Sequence, residues 1–174
     1  PEDIKLSVPY IKQVLEAMNI PVLQADGFEA DDVIGTLATE AGRQGIDTYM
    51  LTPDKDYGQL IGPNVKMYRP RHGGGYDVIG EKEVAAKYGI ASASQVVDLL
   101  ALMGDASDNY PGCPGVGEKT AVKLINQFGN TEELISHTDQ LKGKMREKVE
   151  GAIDDIKMAK YLATIRTDVP IALN

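Results

Sequence analysis

Between Pro21 and Thr52 the sequence changes its period twice. PVLQAD is a short apolar run. GFEADDVIGTLATEAGRQG then repeats Val33, Ile34, Leu37, Ala38 and Ala41 at helical spacing, with Gly45 as a stop, and IDTYMLT is again a short apolar run. Strand, helix, strand in that order requires a crossover connection, so the stretch predicts a βαβ unit and a parallel sheet. Few folds tolerate that unit outside an α/β core.

The rest of the chain divides around this unit. Upstream, Ser7 can cap a helix whose apolar positions are Val8, Ile11, Val14, Leu15 and Met18, ended by Pro21. Downstream, VKMYRP and YDVIG read as two strands joined across RHGGG, and EKEVAAKYG and SASQVVDLLALMG read as helices. After Pro111 the pattern is helical: GEKTAVKLINQFG, TEELISH and a long segment from Lys142 to Ala163. The break predicts an α/β part over residues 1–109 and an α-helical part over 110–174. No apolar run approaches the roughly 20 residues of a membrane span. Cys113 is the single cysteine, so an internal disulfide is excluded and a reducing compartment fits.

Charge is uneven. The formal net charge is −8, yet Pro1–Tyr110 holds 17 acids against 9 bases while Pro111–Asn174 holds 9 of each. Three acidic groups carry the excess. Glu29, Asp31 and Asp32 follow PVLQAD and open the next helix. Asp54 and Asp56 follow IDTYMLT. Asp105 and Asp108 follow the helix DLLALMG. Without these seven, the first part holds 10 acids against 9 bases. Taken one at a time, each group has a structural reading: a helix N-terminus complemented by acids, a turn, an Asx turn. Taken together, acids leaving the same edge of one sheet converge where open α/β sheets place their ligands. Seven carboxylates in one cleft require cations. Oxygen-only donors suit Mg²⁺ or Mn²⁺, and one cysteine with two histidines makes a zinc site a poor fit. Two such ions form the clamp used in phosphodiester cleavage. GDASDN lacks the spacing of an EF-hand.

PGCPGVGEKTAVKLINQFG resembles a phosphate loop only superficially, because Glu118 stands between Gly117 and Lys119 and no strand precedes it. A hairpin between two helices is the better reading. Gly115 and Gly117 let backbone amides approach a phosphate, with Val116 between them, and the following helix adds its N-terminal dipole. Thr120, Lys119 and Lys123 would extend that grip, which reads no bases. Lys142, Lys144, Arg146 and Lys148 are a second basic set or a solvated helix face. Tyr57, Tyr68, Tyr76 and Tyr110 could stack on bases or serve as ordinary strand and turn residues.

GFEADDVIG, TPDKD, LLALMGDASDNYPG and PGVGEKTA, in this order, resemble the flap endonuclease family, in particular the 5′→3′ exonuclease domains of bacterial DNA polymerases. The resemblance covers the whole chain. It implies a PIN-like or resolvase-like core with a mostly parallel sheet, followed by a SAM-like helix-hairpin-helix module. It implies that Glu29, Asp31, Asp32, Asp54, Asp56, Asp105 and Asp108 hold two or more Mg²⁺ or Mn²⁺ ions, with Asp31, Asp54 and Asp105 catalytic. It implies that Gly115, Val116, Gly117, Lys119, Thr120 and Lys123 bind duplex DNA, with K⁺ at the turn. The expected activity is metal-dependent cleavage of DNA at a 5′ end, flap or nick, by a cytoplasmic, nucleoid-associated monomer followed by a polymerase domain. Pro53 departs from the glycine usual in the family. The family also begins with a strand bearing a metal-binding Asp and with a helical arch, neither of which precedes Pro1, so the chain alone is expected to cleave DNA poorly or not at all. A non-catalytic DNA-binding module and a PIN-type ribonuclease are the alternatives.

Overall fold

The structure, a computed structural model, describes residues 2–172. It is mixed α/β, with a three-stranded sheet in the first half and helices throughout the second. Helix α1 (Glu2–Ala17) begins five residues before Ser7, so Ser7 is not its cap; the hydroxyl donates back to Asp3 O at 2.5 Å. None of the α1 residues is buried, and Ile4, Leu6, Ile11 and Val14 face solvent. PVLQAD forms no strand, and most of it is exposed. The expected first strand is therefore absent among the described residues. A helix closes its own hydrogen bonds, but a strand exists only beside a partner, and none is described next to this one.

The other expected elements form. α2 (Ala30–Arg43) buries Val33, Thr36, Ala38 and Ala41, and ends beside Gly45 at φ 76°. β1 (Thr48–Leu51) runs parallel to β2 (Val65–Pro70), which pairs antiparallel with β3 (Tyr76–Ile79). The sheet is mixed, with one parallel and one antiparallel pair. The connection between β1 and β2 is a 3₁₀ helix, Lys55–Leu60, not a long crossover helix. Met50, Val65 and Met67 point into the core, while Tyr49, Leu51, Tyr68, Tyr76 and Val78 lie on the open face. There Tyr68 and Tyr76 stack on each other with ring centroids 4.4 Å apart.

The centre of the molecule is α4 (Val96–Met103), preceded by α3 (Glu81–Tyr88). Val96, Leu99, Leu100, Ala101 and Leu102 are all at most 2% exposed, so α4 is apolar nearly all round, as a buried helix must be. It packs against α5 (Glu118–Phe128), α6 (Thr131–Ser136) and α8 (Ile153–Ala163). The segment expected to be one long helix from Lys142 is two, α7 (Gly143–Gly151) and α8, broken at Ala152, which lies outside α geometry and is itself buried. One apolar core runs from Ala38 and Met50 through α4 to Ile156 and Ala163, joining both halves.

Asp98, on α4, is 4% exposed. Its Oδ1 accepts from Thr131 N at 2.9 Å, Thr131 Oγ1 at 2.8 Å and Lys160 Nζ at 2.6 Å, so one carboxylate ties α4 to α6 and α8. Burial opposes the charge on Lys160, but hydrogen bonds to Asp98 and Glu132 outweigh it and raise its pKa.

Candidate metal centre and nucleic-acid interface

Three stretches of backbone carry the acids. Glu29 is the N-cap of α2, and Asp31 and Asp32 lie in its first turn, where the helix dipole favours anions. Asp54 caps the 3₁₀ helix, accepting from Asp56 N at 3.0 Å, and so orients its own neighbour. Asp105 ends β4 (Gly104–Asp105) and Asp108 lies in the tight turn leading to β5 (Tyr110–Pro111), two-residue strands paired antiparallel. That loop is possible because Gly104 and Gly112 are both glycines: a Cβ on either would collide with the other's backbone.

Glu29, Asp31, Asp32, Asp54, Asp56 and Asp108 line one cavity of about 270 Å³. Asp105 is not in its lining. Its carboxylate ion-pairs with Lys55 Nζ and accepts from Ser107 N at 2.7 Å, the Asx turn that the sequence left open. The Lys55 hydrogen bond holds Asp105 below the ordinary carboxylate range, and the same bond raises Lys55. Asp32 is engaged as well. Its Oδ2 accepts from Glu29 N at 3.3 Å and its Oδ1 from Arg166 N at 2.9 Å. Asp31 Oδ1 accepts from Tyr57 Oη at 2.8 Å. Among the described residues, no three His, Cys, Asp or Glu side chains are yet grouped closely enough for one ion.

Asp56 is the least satisfied acid. Its Oδ1 is buried without a hydrogen-bond partner, and Lys55 Nζ is 3.7 Å away. Burial pushes its pKa up to about 6; Lys55 works against this, and the charges of Asp54, Asp105 and Asp108 add to it. Burial likewise pushes Tyr110 up to about 12, with the charges of Asp56, Asp105 and Asp108 adding to it. Burial and the bond to Asp31 raise Tyr57.

The opposite wall comes from far along the chain. Leu162, Ala163, Thr164 and Ile165 complete the cavity. Gln59 holds them there: its Nε2 donates to Ala163 O at 2.9 Å and its Oε1 accepts from Ile165 N at 3.0 Å. Thr36 Oγ1 accepts from Val169 N at 3.1 Å, fastening the same tail to α2. Sequence reading missed this wall, because nothing local in LATIRTD marks a return to α2. It also missed Lys55 and Tyr57 as supports, although both lie within three residues of Asp54, which was a usable signal.

The glycine hairpin has the expected outline. Gly115 takes φ +71°, Gly117 is the N-cap of α5, and Val116, 5% exposed, anchors the turn in the core. Gly115, Gly117, Lys119 and Lys123 are exposed and Thr120 is half-buried. In the first turn of α5, Thr120 N and Ala121 N donate to Gly117 O at 3.0 and 2.9 Å, which leaves the amides of Glu118 and Lys119 as the open donors. Lys148 joins them: its Nζ stands 2.5 Å from where a Cβ on Gly115 would lie. Of the second basic set, Arg146 is spent on Glu150, 2.7 Å away. Tyr57 and Tyr110 are buried at 4% and 6% exposure, so neither offers a ring face to a base.

The family described as 5′-3′ exonuclease, N-terminal resolvase-like domain, matches residues 1–89, and the one described as 5′-3′ exonuclease, C-terminal SAM fold, matches residues 91–174. The DNA polymerase I of Bacillus subtilis is 40% identical over 176 residues, covering 100% of this chain and 20% of that protein. The DNA polymerase I of Caldicellulosiruptor bescii is 39% identical over 174 residues, covering 98% and 20%. The chain thus spans about a fifth of the length of these relatives. Among solved structures, the flap endonuclease of bacteriophage T5, in a pseudo-enzyme–product complex with DNA and metal ions, superposes with a TM-score of 0.78 at 21% identity, over 91% of this chain and 58% of that one. The catalytic core of Rad2 with DNA substrate follows at 0.58 and 16% identity, over 96% and 58%.

Proposed function

The chain belongs to the 5′-3′ exonuclease family, and from that premise we propose that it is the 5′ nuclease portion of a DNA polymerase I, hydrolysing DNA phosphodiesters near a 5′ end or flap. The observation that carries the reading is the convergence of six carboxylates from three separate stretches on one cavity. A hard divalent cation fits them: the donors are all oxygen, and the buried Asp56 Oδ1 has no partner. Neither histidine and no cysteine lines the cavity. Mg²⁺ or Mn²⁺, two or more, would be held by Glu29, Asp31, Asp54, Asp56 and Asp108. Asp32 and Asp105, whose carboxylates engage Arg166 N and Lys55 Nζ, would complete the set. Bound there, the ions supply the charge that activates water and neutralises the leaving oxygen. The chain's own work is positional. Tyr57 orients Asp31, Asp54 orients the turn that bears Asp56, and Gln59 keeps the far wall in place.

In the same proposal, residues 110–174 grip the duplex. Gly115, Gly117 and the α5 N-terminus face a phosphate, with K⁺ at the turn, and Lys119, Lys123 and Lys148 reach neighbouring phosphates. Residues 1–109 contribute the acids.

Calorimetric titration with Mn²⁺ tests the cavity. The wild-type chain is expected to bind, and Asp54→Asn to weaken binding about tenfold or more, as losing a ligand contact does. Absence of Mn²⁺ binding to the wild type overturns the reading. The engagement of Asp105 with Lys55 favours a second reading, in which the chain holds DNA without cutting it. In that case duplex binding is the same in chelator as in Mg²⁺.

A further inference from the structure

Lys87 stands between the acidic loops and the glycine hairpin. It lies in the last turn of α3, is exposed, and lines two small adjoining cavities, of about 40 and 210 Å³, that share Lys55 and Tyr88. The first cavity reaches Pro53, directly before Asp54. The second reaches Glu118, the first residue of α5 after the hairpin. The groove therefore runs from an acidic loop to the hairpin, and Lys87 is common to both of its parts.

Two features fix the lysine there. Its Nζ donates to Tyr88 Oη at 3.0 Å and lies 4.5 Å from the centroid of that ring, which is half-buried and packed on the core. Gly89, which closes α3 at φ 66°, accepts at its carbonyl from Asn126 Nδ2 at 2.7 Å, so the end of α3 is tied to the hairpin helix. The charge of the groove is opposite to that of the chain. Lys55, Arg69 and Lys87 line it against one acid, Glu118, in a protein of net charge −8. Lys55 is engaged by Asp105 and Arg69 by Asp77, so Lys87 is the cation left to meet a ligand. A lysine in the last turn also complements the α3 dipole, but that role needs neither Tyr88 nor the tie to α5. We infer that Lys87 binds a backbone phosphate of the DNA duplex between the acidic cavity and the hairpin. The inference rests on the duplex grip proposed above and supplies a contact between its two ends. An ammonium is a point charge and reads no bases, so the contact sets position along the strand and not sequence.

A lysine on a phosphate displaces counterions, so the contact is legible in the salt dependence of binding. Lys87→Gln tests it, by fluorescence anisotropy of the whole chain with a 5′-flap duplex over a range of KCl concentrations. Affinity is expected to fall about fivefold, and the slope of log affinity against log salt to shrink by about 0.9, the share of one phosphate. Lys87→Arg is expected to keep the wild-type slope. So is Lys82→Gln, which lies exposed in the first turn of the same helix and lines neither cavity. Mn²⁺ affinity by calorimetry is expected to be unchanged in all three. An unaltered slope in Lys87→Gln overturns the inference, and a lowered melting temperature with it would assign the lysine to the end of α3 alone. An equal loss of slope in Lys82→Gln overturns it too, since net charge would then be all that the duplex senses. Either result leaves the nuclease reading standing where the wild type binds Mn²⁺. A wild type that binds neither Mn²⁺ nor the duplex overturns both.

Discussion

Asp98 and Asp56 are both carboxylates drawn out of water, and the two halves of the molecule treat them oppositely. In the helical half, Asp98 receives three donors on one oxygen and binds three helices together. In the acidic cavity, Asp56 keeps a buried oxygen with no donor, beside other acids and one lysine that stands nearer to Asp105. Burying a charge is tolerable only with compensation. Asp98 carries its compensation within the fold. Asp56 lacks it, and under the proposed nuclease reading a bound cation would supply it. The contrast separates acids that build the structure from acids held ready for something outside it.

The largest effect that can break this comparison is Asp98→Ala. It strands Lys160 near Glu132 and frees Thr131 N, and it should cost about 3 kcal/mol in urea unfolding, toward the low end for a broken buried pair because Lys160 keeps one partner. A loss under about 1 kcal/mol would place Asp98 with the uncompensated acids. Gln59→Ala comes next. It removes the bonds to Ala163 O and Ile165 N, and should cost about 2 kcal/mol while accelerating hydrogen exchange at the Ile165 amide. Unchanged exchange there would show that the far wall does not depend on Gln59.

The smallest effect has the opposite sign. Asp56 has a folded pKa of about 6, above its unfolded value of 3.8, so the fold penalises its ionised form. Its contribution to stability is greatest below about pH 4, falls as pH rises toward 6 and stays low above that. Asp56→Asn should therefore stabilise the cation-free chain by about 1 kcal/mol at pH 7, allowing for solvent screening, and the gain should vanish near pH 4. Saturating Mg²⁺ should reverse the order, because only the wild type keeps the full ligand set. A variant that is less stable at pH 7 without cations would mean that Asp56 has an internal partner after all.

What sequence could reveal follows from how far each interaction reaches. The amphipathic period of α2, the capping position of Glu29 and the turn chemistry of Asp54 are local, and they carry five of the six acids that line the cavity; the sixth, Asp108, lies on the turn between β4 and β5. Asp105 escapes because its partner, Lys55, lies 50 positions away and competes with any ion for the same oxygens. Asp98 was invisible inside DLLALMG, where it reads as one polar break in an apolar helix; only the arrival of Thr131 and Lys160 makes it a knot. PVLQAD fails in the other direction. Its composition is that of a buried strand, but composition cannot supply the neighbour a strand needs.

The bond from Arg166 N to Asp32 spans 134 positions of sequence. Closing so long a loop costs chain entropy, and the packing of α4 on α8 is what offsets it. In the unfolded chain the three acidic stretches lie apart, where water screens them from one another. The pocket's crowding is thus imposed by the remainder of the fold, which must be strong enough to hold it.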